Sequence, residues 1–64
     1  MEQNEMLNGI EQLKNGEITQ ILIKKEDFLN FRQIIVNRED FKHFRGIAQH
    51  GGDVIYTYIE EARS

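Results

Sequence analysis

The chain has 64 residues and no cysteine, which excludes a disulfide framework and a thiolate zinc cage. At 39% hydrophobic and 30% charged residues, it is too apolar for a typical disordered chain and too charged for a membrane-embedded one. The net charge of −3 is unevenly spread: Lys24 to Arg45 holds six bases against four acids, while the remainder holds two bases against seven acids.

Residues 4–15 are expected to form a helix. Met6, Ile10 and Leu13 recur at spacings of four and three beside Leu7. Asn4 suits the N-cap, and Gly16 after Lys14-Asn15 is a stop signal, because glycine enters the left-handed conformation without a Cβ clash. Gly9 lies inside this helix, where glycine costs about 1 kcal/mol relative to alanine.

Residues 17–24 follow as a strand rich in β-branched side chains, with Thr19, Ile21 and Ile23 on one face and Ile18 and Leu22 on the other. Next comes a doubled motif. Glu26-Asp27-Phe28-Leu29-Asn30-Phe31-Arg32-Gln33-Ile34 is echoed thirteen residues later by Glu39-Asp40-Phe41-Lys42-His43-Phe44-Arg45-Gly46-Ile47. First-turn acids favour a helix N-terminus, and phenylalanines three apart share a helix face. The motif therefore predicts two short helices, over 25–35 and 38–48, with Asn37 capping the second. An alternative makes Gln33-Ile34-Ile35-Val36 a third strand. Gly51-Gly52 marks a turn. Val54 to Ile59 is the strongest strand signal, with Val54, Tyr56 and Tyr58 on one face and Ile55, Thr57 and Ile59 on the other.

The expected fold is a single α+β domain over 1–64, in the order α-β-α-α-β. Its two strands would pair antiparallel if the central helices reverse direction. A two-stranded sheet is marginal in water, and its open edges invite another chain, so completion by homodimerisation is the expected remedy. The acidic, polar opening Met1–Glu5 lacks the basic and then apolar pattern of a signal peptide, which makes the cytoplasm the expected location. The aliphatic runs Ile21–Ile23 and Ile34–Val36 are far below the roughly 20 residues of a spanning helix.

Signs of catalysis are sparse. His43 and His50 would share a face only on a helix running unbroken past Gly46, and no metal-ligand signature surrounds them. The adjacent pairs Glu26-Asp27 and Glu39-Asp40 diverge on a helix and suit helix starts better than a proton-sharing dyad. No nucleophile constellation, phosphate loop or dinucleotide fingerprint is present. The expectation is a protein that is not an enzyme, with no cofactor, no metal and no evident small-molecule substrate.

Partner binding is the remaining class. On the expected second central helix Arg38, Lys42 and Arg45 line one face, with Phe41, Phe44 and Ala48 opposite. Tyr56 and Tyr58 would form an exposed aromatic patch if no helix covered them. These five residues, Arg38, Lys42, Arg45, Tyr56 and Tyr58, are the candidate partner-binding set. The leading expectation is a non-catalytic protein-binding or regulatory module that self-associates. The alternative is nucleic-acid binding through the basic helix face, which the negative net charge disfavours. A small metal-dependent enzyme built on His43 and His50 comes last.

Overall fold

The computed structural model describes residues 1–61. Two α-helices, α1 (Gln3–Lys14) and α2 (Lys25–Val36), accompany three strands, β1 (Ile21–Ile23), β2 (Phe44–Ala48) and β3 (Val54–Tyr58). The sheet order is β1-β3-β2, and both pairings are antiparallel. The chain is therefore α+β, as its composition of elements suggests, but with three strands in the order α-β-α-β-β.

Helix α1 starts one residue earlier than expected, and Asn4 lies within it. Glu2 is the N-cap; its backbone N–H donates to the Glu5 carboxylate at 3.3 Å. The end follows the glycine signal. Gly16 has φ +77°, its N–H donates to the Leu13 carbonyl at 3.2 Å, and the Glu17 N–H donates to the Gln12 carbonyl at 2.9 Å. That pair of bonds satisfies carbonyls a helix end otherwise leaves open. Gly9 has a packing role: a Cβ there would lie 2.5 Å from Ile21 Cδ1, so the missing side chain lets β1 approach the helix.

Helix α2 is closed at its start from a distance. The Lys25 N–H donates to Asp53 Oδ1 at 3.0 Å, so the residue before β3 caps the helix that follows β1. A carboxylate suits this end, where unpaired N–H groups and the helix dipole both favour negative charge. Lys24 Nζ adds an ion pair to Asp53 at 3.7 Å. The turn that presents Asp53 uses Gly51 (φ +82°) and Gly52 (φ +90°), a backbone region costly for residues with a Cβ. At the other end the Asn37 side chain donates to the Gln33 carbonyl at 2.8 Å. Asn37 thus ends α2 and caps no second helix. Gln33–Val36 is helical, which removes the alternative third strand at that position.

The expected helix over 38–48 does not form. Phe41–His43 is a single 3₁₀ turn, and Phe44–Ala48 is strand β2. The two copies of the doubled motif differ at one telling position: Gln33 in the first is Gly46 in the second. Glycine disfavours a helix interior. In the strand, Gly46 lies opposite Tyr56, and a Cβ on it would be 3.1 Å from Tyr56 Cε1 and 3.3 Å from Val54 Cγ1. The aromatic ring lies close beside the bare backbone, as a ring often does next to a strand glycine, and Gly46 itself stays exposed.

Both helices pack on one face of the sheet. The core consists of Met6, Ile10 and Leu13 from α1, Phe31 and Ile35 from α2, and Ile23, Phe44 and Tyr56 from the three strands. Tyr56 joins the layers: its ring centroid lies 4.9 Å from that of Phe31 and 6.5 Å from that of Phe28.

A turn ties α2 to β2 electrostatically. Arg38 Nε and Nη2 donate to the two Asp40 oxygens at 2.8 and 3.2 Å, and Arg38 also lies 3.7 Å from Glu11 on α1. The hydrogen bond from Arg38 holds the Asp40 carboxyl below its ordinary 3.8, and the same bond raises the Arg38 guanidinium.

Two outcomes follow from this packing. Gly46→Val forces a side chain against the clamped Tyr56 ring, so we expect a loss of about 1–3 kcal/mol, read as a lower urea midpoint. A raised midpoint would mean that strand propensity outweighs the clash. Asp40 has a depressed folded pKa, so its stabilisation is complete above the unfolded value near 4 and fades as pH falls through the lower folded value. Asp40→Asn should therefore cost about 0.5–1 kcal/mol near neutrality, and its stability curve should converge on that of the wild type in acid, once the folded-state carboxyl is protonated. A constant offset between the two curves would contradict the pairing.

Candidate interaction surface on the open face of the sheet

Side chains alternate across a sheet, so each strand that buries one set presents another. Ile21, Ile23, Val54, Tyr56, Tyr58 and Phe44 join the helices, and the intervening residues point away. The registers Leu22↔Ile55 and Ile47↔Ile55 align Leu22, Ile55 and Ile47 in one row across all three strands. None of the three belongs to the core cluster. Leu22 is 45% exposed and Ile47 42%, and Ile55 between them is half-buried. No helix among the described residues covers this face. Beside the row stands the pair Arg45↔Thr57, with Arg45 exposed and Thr57 half-buried.

The expected partner-binding residues separate in the structure. Arg38, Lys42 and Arg45 lie in a turn, a 3₁₀ turn and a strand, so they form no helix stripe. Arg38 is half-buried and engaged by Asp40, with its charge met twice over by Asp40 and Glu11. Lys42 is exposed. Arg45 alone of the three borders the open apolar row.

Tyr56 and Tyr58 share a face, as the alternation indicates, but it is the covered one. Tyr56 is 7% exposed, and burial raises its phenol above the ordinary 10.0. Tyr58 packs edge-on against Phe44, with centroids 5.2 Å apart. The condition for an exposed aromatic patch, a face left uncovered, is therefore not met: α2 supplies Phe28 and Phe31 against Tyr56, and Tyr58 packs on Phe44 and His43.

The two histidines sit at opposite ends of β2 and do not converge. His43 stacks on Tyr58 at 5.1 Å, and its Nδ1 lies 2.8 Å from the Ile59 carbonyl. A carbonyl only accepts, so Nδ1 carries the proton in that bond. The Ile59 N–H returns a bond to the His43 carbonyl at 2.7 Å, which extends the β2–β3 ladder past Tyr58. His50 is exposed in the turn between β2 and β3. Among the described residues no three of His, Asp and Glu lie close enough together to hold a metal ion.

Leu22, Ile47 and Ile55 are the residues that sequence reasoning missed as a group. The strand alternation puts Leu22 and Ile55 on this face. The helix expected over 38–48 takes Ile47 out of the row. The available signal was the alternation Phe44, Gly46, Ala48 against Arg45, Ile47, Gln49, which the helix-like spacing of Phe41 and Phe44 obscured.

Among the described residues no helix is long and apolar enough to cross a membrane. No curated protein and no solved structure matches the chain. A family sequence model described as YkzS-like protein matches residues 3–57. That match spans α1 to nearly the end of β3 and so includes every residue of the open row; the chain belongs to the YkzS-like protein family.

Proposed function

We propose that this protein is a small non-catalytic binding module that works by protein–protein contact, and that its open sheet face associates with a second copy of the chain. One observation carries the proposal: an apolar row of Leu22, Ile55 and Ile47 crosses a sheet face that no described element covers. Apolar surface of this kind loses water favourably when another surface meets it, at roughly 25 cal/mol per Å². The surroundings suit an interface. An apolar centre is edged by Arg45 and Thr57, which matches the usual division into a dry core and a polar rim. Two such sheets can pack face to face, with strand directions about 30° apart.

The size of the chain points the same way. With 64 residues, it belongs to a class that buries only about 60% of its unfolded surface. Two helices suffice to cover one side of the sheet, and a partner supplies the second layer. A regulatory role for this contact and a cytoplasmic setting complete the proposal. The nucleic-acid alternative drew on a basic helix face, and it has no such face to rest on because those residues occupy different elements.

Sedimentation at micromolar concentrations provides the test. The expected result is a mass above the 7.6 kDa of one chain, falling toward it on dilution. Leu22→Lys and Ile47→Lys, at exposed positions, should each weaken association by tenfold or more, roughly the factor that 1.4 kcal/mol represents, while far-UV circular dichroism stays unchanged. A wild-type chain that remains monomeric throughout would refute self-association.

A further inference from the structure

The other side of the sheet carries a second unassigned feature. The inward positions of β2 are Phe44, Gly46 and Ala48. After the buried Phe44 they are small, and Gly46 and Ala48 stay exposed although they face the helix layer. Helix α2 leaves a groove of about 390 Å³ over them, lined by residues that include Phe28, Arg32, Val36, Phe41, Ala48 and Tyr56. Val36 and Phe41, at 44% and 39% exposed, contribute apolar surface to it.

Two polar groups stand in this otherwise apolar lining. Among the described residues Arg32 is its only charged one, and its guanidinium takes part in no ion pair or hydrogen bond with them. The Tyr56 hydroxyl has no hydrogen-bond partner within the described chain, yet no buried side-chain oxygen is left unsatisfied, so this hydroxyl reaches solvent. Arg32 acts electrostatically on the Tyr56 phenol, which places cation and donor in one region. Among the described residues no carboxylate lines the groove to repel an anion.

We infer that this groove binds a small apolar carboxylate, with its hydrocarbon body over Gly46 and Ala48 and its carboxylate against Arg32 and the Tyr56 hydroxyl. The volume falls at the low end of the range for small-molecule sites. The lining side chains include no amide that would hold a peptide backbone. An arginine facing a carboxylate with a phenol donor beside it provides charge-assisted hydrogen bonds, the stronger kind. The groove lies on the helix side of the sheet, so this inference stands apart from the self-association proposed above.

Titration of ¹⁵N-labelled protein with octanoate at neutral pH tests it, with octan-1-ol as the uncharged probe and Arg32→Gln as the variant. Octanoate should saturate, shift amide signals near Arg32, Gly46 and Tyr56, and bind at least about tenfold more tightly than octan-1-ol. Arg32→Gln should fold normally, since Arg32 is exposed, and should lose that preference while keeping the weak binding of octan-1-ol. Ala48→Leu, which fills the trough, should weaken both probes. Octanoate that fails to saturate by about 10 mM, a weak affinity on the free-energy scale of binding, would overturn the inference. Equal octanoate affinity in Arg32→Gln, or shifts confined to the opposite face of the sheet, would also overturn it.

Discussion

The fold depends on how Tyr56 is held. It sits on β3, among the described residues the only strand with two neighbours, opposite Ile21 on one side and Gly46 on the other. Above it are the rings of Phe31 and Phe28 from α2. A ring in that place bridges sheet and helix layers, and a Cβ on Gly46 would stand 3.1 Å from it, tighter than ordinary contact. Gly46 supplies that space, and Gly9 supplies the corresponding space for Ile21 against α1. A small core tolerates few voids or clashes, so two glycines at close approaches set how near the layers can come.

A second constraint is the amount of apolar cover available. Both helices are committed to the inner face, and their connections are tied down locally. Asp53 caps α2, Gly16 closes α1, and the Arg38–Asp40 pair fixes the turn into β2. None of the described segments is left to fold over Leu22, Ile55 and Ile47. Isolated exposed apolar side chains are ordinary, but a contiguous patch usually marks a contact surface. Here the patch is aligned by strand register across three strands, and the proposed association follows from that alignment. The groove at Arg32 has the same origin on the opposite side: Gly46 and Ala48 are too small to fill the space that α2 leaves.

Much of the fold was legible where local chemistry and long-range packing agree. The α1 periodicity, the Gly16 stop, the first copy of the doubled motif and the alternation in β3 each specified an element correctly. Reading failed at 38–48, where the same Glu-Asp-Phe pattern that starts α2 enters a 3₁₀ turn and a strand. Phenylalanines three apart fit a helix, but the strand pairing of Gly46 with Tyr56 is a contact between distant residues that no local pattern displays. Tyr56 and Tyr58 illustrate the related gap. Their shared face was visible in the sequence, whereas the packing of Phe28 and Phe31 on Tyr56 and of Phe44 on Tyr58 was not. The candidate surface was half visible for that reason, with Leu22 and Ile55 placed correctly and Ile47 hidden by the mistaken helix.

The central claim is the proposed association: the helices pack on one face of this sheet, and the apolar row on the other closes against a second chain. Methyl relaxation by a soluble paramagnetic agent, followed over protein concentration, measures that directly. The methyls of Ile10 and Ile23, which are 0% exposed, should be protected at every concentration. Those of Leu22, Ile47 and Ile55 should relax strongly in dilute protein and become protected as concentration rises. Protection of all five even in the most dilute sample, or strong relaxation of the last three at every concentration, would contradict the account.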